Sequence, residues 1–407
     1  MTTQVQQRVR IVSPGPAVDG RDILPERWYR HKVAEVQVRL KDAGYDALLL
    51  FSATNIIYGT GFHHYSTERP LACLLPQSGA PALFVPELEV DALKGHWVTD
   101  VESYFDFPGE KNRIEWVGER LAKRGLGKAT IATEELRPSS LERLRAALPN
   151  ATFKTTDVID TMRYVKDADE IAMIRRACYF ADLLCEAGRQ FIEENGAVSE
   201  VEILQAVCQS VSTRMQDELT DAIGVGLPSP YGGLVPFGKR SALPHAIPST
   251  AHLQAGDALI LSFGASVGGY GAESERAFAV APVSDHAKRL FDAMVEAQDT
   301  AIAGLRAGRT CGAVDKEALD TVRAKDLGQF LKHRTGHAIG LEGHEPPWLE
   351  EGDATVLKEG MVFTIEPGVY DPSFGGFRHS DTVVVRAGGG ETLNQYPRRL
   401  ADMTITL

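Results

Sequence analysis

With 407 residues, 43% of them hydrophobic, the chain has material for more than one buried core and is expected to form two domains. A formal net charge of -12 at pH 7, with no cluster of Lys and Arg, excludes the electrostatic footprint of a nucleic-acid or anionic-membrane binder and points to small-molecule chemistry. The polar Met1 to Arg10 has no apolar signal core, no segment approaches the roughly 20 apolar residues of a membrane helix, and five scattered cysteines lack C-x-x-C spacing, so a reducing cytoplasm is the expected compartment.

In chain order, residues 1 to 24 read as an irregular arm broken by Pro14, Gly15, Pro16 and Gly20. A helix is expected from Pro25, with Tyr29, Val33, Val36 and Leu40 at helical spacing up to Gly44, followed by a buried strand from Ala47 to Phe51. Apolar runs at Leu71 to Leu75 and Ala82 to Val85 predict further strands, and helices follow near 112 to 124 and 139 to 148. This alternation predicts an α/β N-terminal domain over residues 1–160 and a second domain over 161–407.

The second domain opens on two capping boxes, Asp167 with Glu170 and Ser199 with Glu202, each starting a long apolar-periodic helix. A strand pair over 257 to 281, helices over 285 to 326, and strands near 361 to 370 and 377 to 386 come in blocks, which predicts an α+β domain with a mostly antiparallel sheet. Gly256-Asp257 running into Leu259 to Gly264, and Gly360-Met361 running into Phe363 to Gly368, hint at a duplicated half-domain. The glycines of Gly224-Val225-Gly226 and Tyr231-Gly232-Gly233 match no phosphate loop and read as turns.

The chemistry concentrates late in the chain. Four of the eleven histidines, His333, His337, His344 and His379, fall among glycines and carboxylates in His333-Arg334-Thr335-Gly336-His337, His344-Glu345, Ile365-Glu366-Pro367-Gly368 and Arg378-His379-Ser380-Asp381. Imidazoles and carboxylates at strand ends, with glycine allowing close backbone approach, suit proton transfer or metal binding. A carboxylate such as Glu366 inside an apolar strand is costly without a task. Alternation on one strand places Glu273 and Glu275 on the same face, where with Glu366 they form an acidic wall that needs a cation from substrate or metal.

These segments, with G-D-x-L-I-L-S-F-G-A and G-Y-x-x-E-S-E-R-x-F before them, resemble the creatinase, prolidase and methionine aminopeptidase superfamily in several motifs and in the right order. The resemblance implies a C-terminal pita-bread domain, an antiparallel sheet flanked by helices with a pseudo-two-fold αββ repeat, behind an α/β N-terminal domain, and a homodimer. It also implies a dinuclear metal cage at Ser262, Glu273, His337, Glu366 and Ser380, of which the two serines have lost the ligand carboxylate, so no dinuclear centre is expected. At most one divalent ion (Mn, Co or Zn) is expected, held by Glu273, His337 and Glu366. The metal-free creatinase branch is similar at His245, Glu275, His337, Glu366 and Arg69, although creatinase carries a histidine in place of Ser380.

The leading expectation is therefore a metal-independent hydrolase cutting a C–N bond in a small N-substituted amino acid, imino acid or guanidino-like compound. His245 is its general acid/base, with Glu275, His337 and Glu366 completing the catalytic set and Arg69, His344 and Arg378 holding a substrate carboxylate. Segment Gly340 to Pro347 resembles Xaa-Pro peptidases and supports a one-metal dipeptidase as alternative, and a catalytically silent peptide or metabolite binder is the third reading. Structural readings stand beside these: Glu275 as a salt bridge to Arg276, Arg378 as a pair with Asp381, His333 as a packed imidazole and His379 as a surface residue.

Overall fold

The computed structural model describes residues 9–106, 111–220 and 233–407. The glycine segment 224–226 and Tyr231-Gly232 lie outside them. The chain separates between Arg163 and Tyr164 into two compact units.

The N-terminal unit begins with helix α1 (Glu26–Ala43), which buries Trp28, Tyr29, Val33, Val36 and Leu40 and ends at Gly44 in the left-handed region, φ 71°. Six strands follow: β1 (Ala47–Leu50), β2 (Ala72–Pro76), β3 (Ala82–Pro86), β4 (Asp100–Tyr104), β5 (Thr130–Thr133) and β6 (Thr152–Thr155), in sheet order β4-β3-β2-β1-β5-β6. Helices α2 (Ala53–Thr60), α3 (Arg113–Leu121), α4 (Pro138–Ala147) and α5 (Val158–Arg163) intervene, and Val117, Leu121 and Leu144 pack with Leu49, Leu74 and Ile131 in one core. β4, β5, β6, α2 and α5 were not foreseen, because Thr152–Thr155, for example, buries only Phe153 and carries no apolar run.

The C-terminal unit opens on α6 (Ala168–Asn195) and α7 (Glu200–Glu218), both with the expected reciprocal capping boxes. After the short β7 (Gly233–Leu234) come β8 (Ala258–Val267) and β9 (Tyr270–Val280), a long hairpin turning at Gly268 and Gly269, φ 55° and 85°. That sign at both positions is what a type I′ hairpin turn requires. Helices α8 (Asp285–Gly304) and α9 (Cys311–Arg323) precede β10 (Gly336–Ala338), β11 (Glu345–Leu349), β12 (Val362–Ile365), β13 (Gly368–Asp371), β14 (Gly375–Arg378) and β15 (Ser380–Val385). The main sheet runs β11-β10-β12-β15-β9-β8-β7, with β13 and β14 as a separate hairpin. A helix pair followed by a block of strands, twice over, is the pita-bread architecture. α6 packs on β8 and β9, with Asp182 on Ser274, and α8 packs near β12 to β14, with Gln298 on Asp381, so both helices cover the face opposite Glu273 and Glu275.

The opening arm, read from sequence as part of the N-terminal domain, packs from residue 9 to 23 with the C-terminal unit. The reason is charge: Arg176, almost fully buried on α6, sits 3.3 Å from Asp22 and donates to the Ser13 hydroxyl at 2.8 Å. His379 is corrected from surface to core: fully buried, its Nδ1 accepts the Ala277 N–H and its Nε2 donates to the Arg398 carbonyl. Burial and the nearby Arg276 charge hold its pKa well below the ordinary imidazole value.

Candidate active site

Strand register builds the site. Glu273 and Glu275 lie two residues apart on β9, His337 is on β10, Glu366 follows β12, and Arg378 ends β14. β10 reaches close to β12 only because residue 336 is glycine, where a Cβ would stand 1.9 Å from the Thr364 carbonyl oxygen. The Glu273 backbone is fixed by Thr382, whose hydroxyl accepts the Glu273 N–H at 3.0 Å, and by Asn394, which donates to the Glu273 carbonyl at 3.1 Å.

The three carboxylates converge as alternation predicts: one oxygen each of Glu273, Glu275 and Glu366 lie within 4.8 Å of one another. Their repulsion is relieved from inside the protein, which corrects the expectation that substrate or metal must bring the cation. Arg378 grips Glu275 bidentately, with Nη2 2.7 Å from Oε1 and Nε on the other oxygen, and stands 3.9 Å from Glu366. His337 Nε2 lies 3.2 Å from Glu366 and 3.8 Å from Glu273. Burial, then the Glu366 charge, pushes Glu273 up to about 8, so it keeps a proton at neutral pH. Burial would raise Glu366 as well, but the His337 hydrogen bond and the Arg378 charge bring it down to about 2. For His337 burial works against protonation and is overcome by Glu366 and Glu273, so its pKa rises.

Arg378 is therefore not available to a substrate carboxylate, nor paired with Asp381 as the chain neighbourhood suggested. Asp381 takes Arg276 at 2.5 Å, both members buried, and Arg276 meets Glu275 only at its backbone carbonyl, 2.8 Å away, not at its carboxylate. Arg378 also donates to the Tyr370 hydroxyl at 3.2 Å, and His333 Nε2 lies 2.7 Å from the same hydroxyl. Since His333 Nδ1 can only donate to the Arg334 carbonyl, 2.7 Å away, Nε2 accepts from Tyr370. His333 is thus a packed, satisfied imidazole, held below its ordinary pKa mainly by burial. Tyr370 went unnoticed in the sequence, where its place after Ile-Glu-Pro-Gly carries no chemical signal.

A cavity of about 720 Å³ opens over this wall, and His245, His333, His337, His344, Glu366 and Arg378 are among its lining residues. His245 is exposed on the loop before β8. The His344 ring lies over His337, centroids 3.9 Å apart, and its partial desolvation there and the His337 charge lower its pKa. Lys332, Arg334 and Glu350 also line it and were not singled out in the sequence. Arg69 lies in the N-terminal unit, where it pairs with Asp106 at 2.6 Å and Glu68 at 2.7 Å.

A dinuclear metal cage does not fit these residues. Ser262 gives its hydroxyl to Glu275, Ser380 lies 3.3 Å from Glu273, and Glu275 has both oxygens on Arg378. A single ion finds a donor set: Glu273, His337 and His344 offer ligand atoms within 4.8 Å of one another. His337 Nδ1 is turned to the Ala338 carbonyl at 3.0 Å, which directs Nε2 into the site, buried and 3.2 Å from Glu366.

The fold and site define a two-unit protein with a pita-bread domain whose His- and Glu-lined cavity stands on a central antiparallel sheet. Residues 172–387 match metallopeptidase family M24, and residues 32–165 match the creatinase/prolidase N-terminal domain. The chain is 30% identical over 374 residues to YkvY of Bacillus subtilis strain 168, covering 91% of this chain and 99% of that one. Among solved structures it is similar to an Xaa-Pro dipeptidase from Bacillus anthracis (28% identity, TM-score 0.79, 93% of this chain and all of that one). It is also similar to the prolidase from Pyrococcus horikoshii (28%, TM-score 0.77, 91% and 99%). The chain belongs to metallopeptidase family M24, with a creatinase/prolidase N-terminal domain. Among the described residues no helix is long and apolar enough to cross a membrane.

Proposed function

We propose that the protein is a hydrolase that cleaves a C–N bond in a small N-substituted amino acid, imino acid or guanidino-like compound without a dinuclear metal centre. The observation that carries this reading is the Glu275–Arg378 clamp beside Ser262, which commits the charge of one wall carboxylate to a guanidinium. His245, exposed in the cavity, takes a proton from water and returns it to the leaving nitrogen. Water adds across the bond, its oxygen to carbon and its hydrogen to nitrogen. Glu273, holding its proton, donates a hydrogen bond to the group that gains negative charge, and the Glu366–His337 pair orients the reacting atoms. The substrate is a small molecule or dipeptide, and the working protein is a homodimer in the cytoplasm.

A second reading rests on the neighbours named as Xaa-Pro dipeptidase and prolidase and on the buried His337 Nε2, which points into the site beside Glu366 and Glu273. Here one divalent ion would be held by Glu273 and His337 with either His344 or Glu366, and would supply Lewis-acid activation of water.

The test is turnover of creatine, N-substituted glycines and glycyl-proline by protein dialysed against chelator, with metal content measured on the same sample. Turnover that survives chelation and is lost in His245→Ala is the expected result. Turnover that returns only with Mn²⁺, one ion per chain, establishes the second reading instead. No turnover under either condition refutes both and leaves a binding protein.

A further inference from the structure

Resting on the hydrolase reading, we infer that Lys332 anchors the carboxylate of the substrate, so that the protein selects small molecules ending in a free acid. Among the described residues three Lys or Arg side chains line the cavity, and two are already committed. Arg378 is clamped on Glu275. Arg334 pairs with Glu350 at 2.9 Å and lies over the Trp348 ring at 4.2 Å. Lys332 has no carboxylate within ion-pair distance among the described residues; its ammonium donates to the Ala242 carbonyl at 2.5 Å and sits 5.6 Å from the Tyr370 ring centroid. An ammonium carries three donors, and one carbonyl uses one of them.

The geometry also gives this amine a fixed place. The bond to Ala242 ties it to the segment that carries His245, and Tyr370 under it is held by Arg378 and His333. A carboxylate on Lys332 therefore docks against the loop of the proposed base, with the rest of a small substrate inside the cavity that Glu366 and His337 line. A neutral end at the same place leaves the ammonium without an anion, and that difference discriminates between acid and amide.

The rival role for Lys332 is a structural tether to Ala242, and the test separates the two. Binding of glycyl-L-proline and of creatine, each beside its primary amide, is measured by calorimetry in chelator on the parent, Lys332→Gln and Lys332→Arg. The parent is expected to bind at least one acid about 10-fold or more tighter than its amide, the effect of a charge-assisted hydrogen bond. Lys332→Gln, which still has a donor for Ala242, is expected to bring the ratio near one, and Lys332→Arg to keep most of it. An unchanged ratio in Lys332→Gln, or a parent that binds acid and amide alike or neither, overturns the anchor. A carboxylate preference without turnover sinks the hydrolase reading alone, whereas turnover with an unaltered ratio sinks the anchor alone.

Discussion

Arg378→Met probes the charge balance of the wall most directly. It leaves Glu275, with a side chain 6% exposed, facing only the Ser262 hydroxyl where two guanidinium contacts stood. Removing one partner of a buried pair costs about 3–5 kcal/mol. An independent ceiling comes from protonation, since the stranded carboxylate escapes by taking a proton. From an unfolded-chain pKa of about 4.3 to pH 7 that costs about 1.4 kcal/mol per pH unit over about 2.7 units, or about 3.7 kcal/mol. The two figures agree, and for a unit of this size the melting transition should fall on the order of 10 °C. The sign of the pH dependence follows: the folded variant holds a proton that its unfolded chain releases above about pH 4.3, so its deficit relative to the parent shrinks as pH falls toward that value. Scanning calorimetry at pH 7 and pH 5 on parent, Arg378→Met and Arg378→Met/Glu275→Gln measures this, and the double variant should recover most of the loss. A single variant within about 1 kcal/mol of the parent at pH 7, or a deficit that ignores pH, refutes the assignment of Arg378 as internal counter-ion.

His245→Ala should lower kcat about 10²–10⁴-fold while leaving the melting temperature unchanged, because the side chain is exposed; unchanged turnover removes it as the base. Gly336→Ala drives a methyl into the Thr364 carbonyl and should unfold the C-terminal unit or abolish soluble expression, and a normally stable variant contradicts the β10–β12 packing. Ser262→Asp with Ser380→Glu flanks Glu275 with carboxylates on both sides, so the variant should melt early alone and be raised by Mn²⁺; elemental analysis showing no more metal than in the parent refutes the mapped cage. For the parent, the raised Glu273 and His337 give stability that is full below their unfolded values and is lost as pH rises through the folded ones, near 8 for Glu273; the lowered Glu366 gives stability lost as pH falls from about 4.5 toward 2. These three groups together should therefore give a stability maximum near pH 4.5 and a decline from there toward pH 8, and a maximum above pH 8 contradicts this balance.

Local rules made much of this molecule legible. Capping boxes at Asp167 and Ser199, the spacing along α1 and the alternation of Glu273 and Glu275 depend on neighbours a few residues apart, and the structure places them as read. What local pattern misjudged was pairing between strands. Arg378 ends β14 and Asp381 is the second residue of β15, so three residues of separation say nothing about their contact once the chain changes strand. Each instead found a partner on β9, Glu275 for one and Arg276 for the other. His379, between the two strands, was carried into the core by the same change of direction. Lys332 escaped notice for another reason: a lone lysine in sequence is a solvated charge, and only the commitment of Arg334 and Arg378 elsewhere singles it out.

The two serines of the degenerate cage are explained by the same register. Ser262 on β8 and Ser380 on β15 are both cross-strand partners of Glu275, one on each side. Carboxylates at all three positions would stand in a row about 5 Å apart, beside Glu273 two residues away, and like charges directly opposite one another destabilise a sheet. Such a row needs more positive charge than the single guanidinium that Arg378 brings. With serine at both flanks the row reduces to one carboxylate, one of its oxygens accepting the Ser262 hydroxyl and both meeting the guanidinium. Glu275 and the two serines are thus one arrangement rather than two losses and a coincidence. A wall that balances its own charge in this way leaves His337, His344 and Glu273 as the places where a single ion or a polar substrate can still engage it.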